Sequence, residues 1–462
     1  MKHPSDYSNE QVVILGLAKS GQAVARVFHE LGAIVTVNDR KSREDCPEAE
    51  ELEALGIQVI CGEHPESLIH PDVKLVVKNP GIPYHVPPIM KAIEFGIDIV
   101  TEIEVGSYLC AGPIIGVTGS NGKTTTTTWV GLILEKAGLK PIVAGNIGRP
   151  LCDAAKENIA GQWLVVELSS FQLKGTQLFR PHIACLLNIY ETHLDYHGNM
   201  DDYIESKAKL FANQTAEDIA VVNWDDSECR RLSSQSRATL FPFSAIEKLP
   251  YGIYVQEGMI TYRDKSGETW PIIPPSELGI AGKHNLENAL ATAAVAIAAN
   301  VDIHVIAPVL REFRGVEHRQ EFVRTLGDIR FYNDSKATNS SASMKAMDAF
   351  EAPIIWIGGG LDRGSDYMEL LPYFESRVKA VVLIGETKFK LQRVAEQARL
   401  RSIEVVDTAN SVEDMMNQAV KLAYAAAERG DVILFSPACA SWDMFTSYEQ
   451  RGRMFKASVH NL

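Results

Sequence analysis

The run Pro113-Ile-Ile-Gly-Val-Thr-Gly-Ser-Asn-Gly-Lys-Thr-Thr125 decides the fold class. Residues 113–117 are short and apolar, the pattern of a buried strand. A Gly-rich turn follows. Residues 124–138 then carry Trp129, Val130, Leu132, Ile133 and Leu134, which suits a buried helix. Strand, turn and helix together form a phosphate cradle. Glycines let the backbone approach the oxygens, and the N–H groups of the helix start point at the anion. In this reading Gly119, Ser120, Asn121, Gly122 and Thr125 form the cradle with two functional side chains. Lys123 reaches the β- and γ-phosphates, and Thr124 offers a hydroxyl to Mg2+. The longer form of such loops has Gly five residues before Gly122; Val117 stands there, so this loop is of a shorter kind.

Working outward, the 462 residues exceed one ordinary core and predict about three domains. Hydrophobic residues make up 46% and charged residues 23%, the balance of a soluble globular chain. Net charge is −14, from 45 Lys+Arg against 59 Asp+Glu, which leaves no basic excess for a general nucleic-acid or anionic-membrane binder. Met1-Lys-His-Pro-Ser-Asp-Tyr7 lacks the apolar core of a signal peptide, and no run of about 18 apolar residues predicts a membrane span. The seven cysteines (46, 61, 110, 152, 185, 229, 439) form no Cys-x-x-Cys pair, which argues against zinc and against a disulfide framework. The expected location is the cytoplasm, and the expected state a monomer.

Residues 1–111 predict a strand over 11–15, a glycine turn from Gly16 to Gly21, a helix over 22–31 and a strand over 33–38 ending at Asp39. A further strand over 75–78 runs into Asn79-Pro80-Gly81. This order resembles a dinucleotide-binding unit, but Ala18 replaces the middle glycine of the fingerprint, so a nicotinamide site is disfavoured and another nucleotide-type ligand stays open. Residues 112–316 add strands over 163–168, 182–189 and 219–223, then an expected antiparallel excursion over 239–278 and an Ala-rich helix to 299. Residues 317–462 start a fresh α/β pattern, with strands over 330–333, 353–357, 380–384, 403–406 and 432–435. The predicted fold is therefore α/β in three domains: a Rossmann-like N-terminal domain (1–111), a central P-loop mononucleotide-binding domain (112–316) and a C-terminal open-sheet Rossmann-like domain (317–462).

Polar residues gather where such strands end, the edge at which α/β sheets bind ligands. Glu167 ends a strand after the phosphate-loop helix, where nucleotide hydrolases place a Mg2+ carboxylate. His193 reads equally as a metal neighbour or as a hydrogen-bonding or core histidine, since Mg2+ prefers oxygen. Periodicity alone makes Lys207 a surface helix lysine, no different from Lys209. Asn285 and Asn288 either contact a base or cap their helix. Arg319 lies near a linker, where a guanidinium can span to a γ-phosphate. Asp334, Lys336 and Thr338 form one polar strand end of the last domain; residues 358–365 and 436–443 form two more, and together they predict a small anionic site.

Five motifs, in order, then carry a resemblance: Thr118-Gly-Ser-Asn-Gly-Lys-Thr-Thr125, Glu167-Leu-Ser-Ser-Phe-Gln172, Thr192-His-Leu-Asp195, His284-Asn-x-x-Asn288 and His318-Arg319. They resemble the Mur ligases of peptidoglycan synthesis, and the short loop is also that of folylpolyglutamate synthases. Asn333-Asp-Ser-Lys-Ala-Thr-Asn339 and the 436–452 segment resemble the D-glutamate-adding branch. The resemblance implies an ATP- and Mg2+-dependent ligase joining UDP-N-acetylmuramoyl-L-alanine to D-glutamate through an acyl phosphate; the alternative is another Mur-type or folylpolyglutamate-type amide ligase. It implies Lys123, Glu167, His193 and Lys207 as catalytic residues. Thr124 and Glu167 would hold one Mg2+, and His193 with a carbamylated Lys207 a second. Asn288, Arg319 and Asp334 would contact ATP, with the last domain closing over it. Ala18, Lys19, Asp39, Arg40, Asn79, Gly81, Asn146 and His193 would take the UDP substrate. Lys336, Thr338, Arg363, Ser441 and Tyr448 would take D-glutamate. Arg363 and Tyr448 replace a lysine and a phenylalanine of the family pattern, and a guanidinium still suits a carboxylate. A nicotinamide oxidoreductase fits less well, because the middle glycine is missing and a phosphate loop is present, and a nucleotide-switch ATPase fits less well, because it would not need a third domain with three polar strand ends.

Overall fold

The computed structural model describes residues 1–280, 282–407 and 409–462, with Asp195 described by its backbone alone. The chain divides into two compact units, Met1–Phe313 and Arg314–Leu462. Among the described residues the first unit holds two sheets and the second holds one.

The first sheet comprises β1 (Gln11–Leu15), β2 (Ile34–Asp39), β3 (Gln58–Cys61), β4 (Val73–Lys78) and β5 (Asp98–Val100), all parallel in the order β3-β2-β1-β4-β5. The strand order reverses at β1, and it is at the strand ends beside such a reversal that sheets of this kind bind ligands. Helix Lys19–Glu30 follows β1 directly. Gly21 is required there, because a Cβ would lie 1.9 Å from the Gly16 carbonyl oxygen.

The second sheet comprises β6 (Ile114–Thr118), β7 (Ile142–Gly145), β8 (Leu164–Glu167), β9 (Ile183–Leu186), β10 (Ile219–Asn223), β11 (Thr239–Ser244), β12 (Gly252–Gln256), β13 (Met259–Arg263) and β14 (Thr269–Ile273). Its order is β14-β13-β12-β11-β10-β9-β6-β8-β7. The expected antiparallel excursion over 239–278 is corrected in part. β11 pairs parallel with β10 after a crossover through helix Ser227–Ser233, β12 pairs parallel with β11, and only β12 to β14 form an antiparallel meander. The phosphate-loop helix, Lys123–Lys136, buries Trp129, Val130, Ile133 and Leu134 completely. Leu132 points away from that face and is 45% exposed, against the expectation of burial. Full burial of each large side chain contributes about 1.5–3 kcal/mol. The Ala-rich helix Lys283–Ala298 packs on this helix, its small side chains permitting close approach.

Buried carboxylates join the two sheets. Glu104, in helix Glu102–Leu109, accepts the N–H groups of Gln177, Leu178 and Phe179 at 2.9, 2.8 and 3.0 Å. Glu102 accepts the Cys152 N–H at 2.6 Å, and burial pushes its carboxyl up to about 7.

The second unit holds β15 (Glu321–Leu326), β16 (Ile329–Asn333), β17 (Ile354–Gly358), β18 (Val378–Leu383), β19 (Ser402–Val405) and β20 (Val432–Phe435), in the order β15-β16-β20-β17-β18-β19. All pairs are parallel except β15 with β16. Sequence patterning overlooks β15, because this edge strand is half-exposed and polar at Glu321, Arg324 and Thr325. All seven cysteines are free thiols. Among the described residues no helix is long and apolar enough to cross a membrane.

Candidate active site

The phosphate loop spans the end of β6 and the start of helix Lys123–Lys136. Gly122 has φ +81°, and a Cβ there would lie 2.2 Å from Asn288 Oδ1, so this position admits glycine alone. Asn188, which sequence reading passed over, holds the turn. Its Oδ1 accepts the Asn121 N–H at 2.8 Å, its backbone carbonyl accepts the Ser120 N–H at 2.9 Å, and its Nδ2 donates to the Asn121 carbonyl at 3.3 Å. Ser120 Oγ bonds the Tyr203 hydroxyl at 2.8 Å and accepts the Tyr190 N–H at 2.8 Å. The first N–H groups of a helix lack intrahelical acceptors, so this braced turn presents donors to an anion.

Two lysines converge on that turn. Lys123 Nζ donates to the carbonyls of Gly119 and Ser120, both at 2.9 Å. Lys207 Nζ donates to the same Gly119 carbonyl at 2.8 Å and to Thr118 Oγ1 at 3.1 Å. The surface position expected for Lys207 is overturned: helix Met200–Ala208 directs it inward, and it is 1% exposed. Burial first, and the Lys123 charge second, hold its amine well below the ordinary lysine range. Lys209 is no surface lysine either; it donates to the carbonyls of Lys174 and Thr176.

Glu167 ends β8 and is 1% exposed. Its Oε1 accepts Asn146 Nδ2 at 2.7 Å, while its Oε2 is buried with no hydrogen-bond partner. An orphaned carboxylate oxygen is costly unless a cation satisfies it. Thr124, buried at the start of the phosphate-loop helix, offers a second oxygen donor, and a carboxylate with a hydroxyl is a donor set that suits Mg2+. His193 stands exposed before helix Leu194–His197 at φ +58°, its ring 5.1 Å from Phe171. His193 is therefore no core histidine; the buried histidine of this segment is His197, bonded to Asp202 at 2.6 Å and Ser170 at 3.0 Å. The capping alternative for Asn285 and Asn288 also fails, since Gly282 is the N-cap and no side chain caps that helix. Asn288 is buried beside Gly122 and accepts from Thr126 Oγ1 at 3.4 Å. Thr125 is half-buried in the helix's first turn.

In the first sheet Ala18 caps helix Lys19–Glu30 through backbone geometry alone. Asp39 ends β2 and accepts the Leu17 N–H at 2.8 Å; Asn79 follows β4 and accepts Ser20 Oγ. Ala18, Lys19, Asp39 and Asn79 thus meet at the ends of β1, β2 and β4, while Arg40 and Gly81 lie exposed just beyond. Lys78 is 1% exposed, and its Nζ donates to the Pro80 carbonyl at 3.1 Å and the Tyr196 hydroxyl at 3.2 Å. Burial pulls this amine down to about 7.

In the second unit Asp334 is 5% exposed. It accepts Ser436 Oγ at 2.7 Å and the Gln320 N–H at 3.1 Å, and burial raises its carboxyl to about 6. Arg319 is exposed. Lys336 Nζ lies 5.9 Å over the Tyr448 ring. Thr338 is half-buried, and Ser441 is buried. Arg363 lies on an exposed turn with its guanidinium 5.0 Å over Trp442.

A braced phosphate loop, an orphaned strand-end carboxylate and a buried lysine make a site whose chemistry suits nucleotide phosphates. Three family descriptions match the chain in order: "Mur ligase MurD-like, N-terminal domain" over residues 10–101, "Mur ligase middle domain" over 117–296 and "Mur ligase, glutamate ligase domain" over 318–439. The chain belongs to the Mur ligase family. It is 49% identical to the UDP-N-acetylmuramoylalanine–D-glutamate ligase of Geobacillus sp. (strain WCH70) and 48% identical to that of Geobacillus kaustophilus (strain HTA426), covering 100% of both chains in each case. The solved structure of MurF from Acinetobacter baumannii shares the fold, at TM-score 0.55 and 18% identity over 96% of this chain and 93% of that one.

Proposed function

We propose that the chain joins UDP-N-acetylmuramoyl-L-alanine to D-glutamate at the expense of ATP. The observation that carries the ATP half is the pair of lysines on the Gly119 carbonyl beside the orphaned Glu167 oxygen. The full-length relatives support the choice of the two other substrates. Residues 1–111 take the UDP moiety, 112–316 take ATP, and 317–462 take the amino acid and contribute Arg319 and Asp334 to ATP.

A free carboxylate is a poor electrophile, because oxide is a poor leaving group. Its oxygen attacks the γ-phosphorus, the bond to ADP breaks, and an acyl phosphate forms. The amine of D-glutamate then attacks the carbonyl carbon and gives up a proton. The tetrahedral adduct expels phosphate and leaves the amide. Lys123 and the loop N–H groups neutralise charge on the transferring phosphoryl group, and Asn288 fixes the loop beside Gly122. Mg2+, when bound, supplies further charge neutralisation, with Thr124 and Glu167 as one set of holders and His193 with Lys207 as another. Lys207 would serve as an oxygen ligand in its carbamate form, and its depressed basicity supports that, since only a neutral amine adds carbon dioxide. Ala18, Lys19, Asp39, Arg40, Asn79, Gly81, Asn146 and His193 orient the UDP substrate, and Lys336, Thr338, Arg363, Ser441 and Tyr448 orient D-glutamate.

The test is isotope transfer. With 18O in the alanyl carboxylate, one label per turnover should reach the released phosphate. Unlabelled phosphate would rule out the acyl-phosphate route.

A further inference from the structure

The second unit contains a buried cation that the reaction as written does not use. Arg451, in helix Tyr448–His460, is 0% exposed. Its Nε donates to Ser335 Oγ at 3.0 Å, its Nη2 to the Ser335 carbonyl at 2.8 Å, and its Nη1 to the Cys439 carbonyl at 3.0 Å. Ser335 Oγ in turn donates to the Tyr448 carbonyl at 2.8 Å, closing the loop onto the same helix. At Gly360 a Cβ would lie 3.2 Å from Nη1, so the third strand end packs on the guanidinium too. The Leu361 N–H donates to the Ala440 carbonyl at 3.0 Å and ties that strand end to the one bearing Cys439. Among the described residues no carboxylate lies within ion-pair distance of Arg451. Burying a charge is costly, and a well-packed apolar side chain fills such space at lower cost. A planar fork with fixed donors has a distinct use: it sets the spacing of several acceptors at once.

We infer that Arg451 is the positioning residue of the amino-acid site, one guanidinium fixing the relative placement of the loops after β16, β17 and β20. Those loops carry Lys336 and Thr338, Arg363, and Ser441, and the helix that carries Arg451 begins at Tyr448. This rests on the reading that these residues take D-glutamate. A substrate with two carboxylates and one amine is held at three points, so small errors in loop spacing weaken its binding. The charge left unpaired also favours an amino acid with a second carboxylate, and hence net negative charge, over a neutral one.

Arg451→Lys, Arg451→Met and Ser335→Ala test the inference in the full-length chain, with KM measured for each substrate separately. Both Arg451 variants should raise KM for D-glutamate at least tenfold, with KM for ATP and for the UDP substrate within twofold. Lysine should not rescue, because an ammonium offers point donors and cannot span Ser335 and Cys439 together. Ser335→Ala removes one link of the fork, leaves the core intact and should raise KM for D-glutamate two- to fivefold. It keeps the test decisive if the Arg451 variants fail to fold. A D-glutamate KM unchanged in Ser335→Ala, or all three KM values rising together, would overturn the inference. Should the parent chain prefer another amino acid, the same variants are read with that one, so the two claims fail separately.

Discussion

Asn188→Ala removes the clamp on the phosphate loop. The side chain is 6% exposed and makes two hydrogen bonds to Asn121, one through Oδ1 at 2.8 Å and one through Nδ2 at 3.3 Å. The shorter bond is well formed, and the longer one is marginal. At about 1 kcal/mol net for a good bond and less for the other, the loss is about 1–2 kcal/mol. The Asn188 backbone still accepts from Ser120, so the loop loosens and does not collapse. That energy must then be recovered when ATP orders the turn, which weakens ATP by about 5- to 30-fold at about 1.4 kcal/mol per decade. The assay is calorimetric titration of the variant with an ATP analogue, alongside KM for the amino acid. The reasoning is refuted if ATP affinity stays within twofold, or if the amino-acid KM shifts as much as that of ATP.

Three further outcomes follow from buried charges. Lys207 should carry a carbamate carbon signal under labelled bicarbonate, lost in Lys207→Met and weakened at acidic pH as the amine protonates; absence of the signal in the parent chain at pH 8 contradicts the proposed role. Asp334→Asn should abolish turnover yet stabilise the resting protein near pH 7.5 by about 1–3 kcal/mol, because burial raises this carboxyl from 3.8 to about 6, and the folding energy its ionisation costs sets in as pH rises past the lower value and is complete above the higher; denaturant melts at pH 7.5 and about pH 3 should show the gain only at the higher pH. Glu102 has a folded value of about 7 against 4.5 for the ordinary group, so its stabilising contribution is present below about 4.5 and is lost as pH rises through about 7. Glu102→Gln keeps an acceptor for the Cys152 N–H and should flatten the loss of stability between pH 5 and pH 8; an unchanged slope in urea melts would contradict this.

The fold class was legible because its signals are local. The phosphate loop reads within 13 consecutive residues, and strands such as Ile219–Asn223 and Val432–Phe435 are short apolar runs with matching ends. β15 was not legible, since the register shift between Phe322 and Arg324 breaks the alternation that marks a strand, although Val323 and Leu326 pack on the core. At the candidate site, residues on strand ends and the loop could be named from position. Lys207 could not be placed, because helical periodicity gives a face but not the direction of a long side chain that reaches an adjacent loop carbonyl. Asn188, and the role of Arg451 within the 436–452 segment, were silent for a related reason. Each acts through backbone groups far away in sequence, 67 residues for Asn188 and 116 for Arg451, and such contacts leave no spacing to read. Cys46 and Cys229 were read only as scattered cysteines, and their burial is likewise a tertiary fact.

The most direct test of the central claim is phosphate release from ATP in the presence of UDP-N-acetylmuramoyl-L-alanine, with D-glutamate, L-glutamate, L-alanine and a folate-type acceptor compared. The account predicts release with D-glutamate alone, one phosphate per amide formed. Release with L-glutamate at an equal rate, or with no amino acid present, would contradict it.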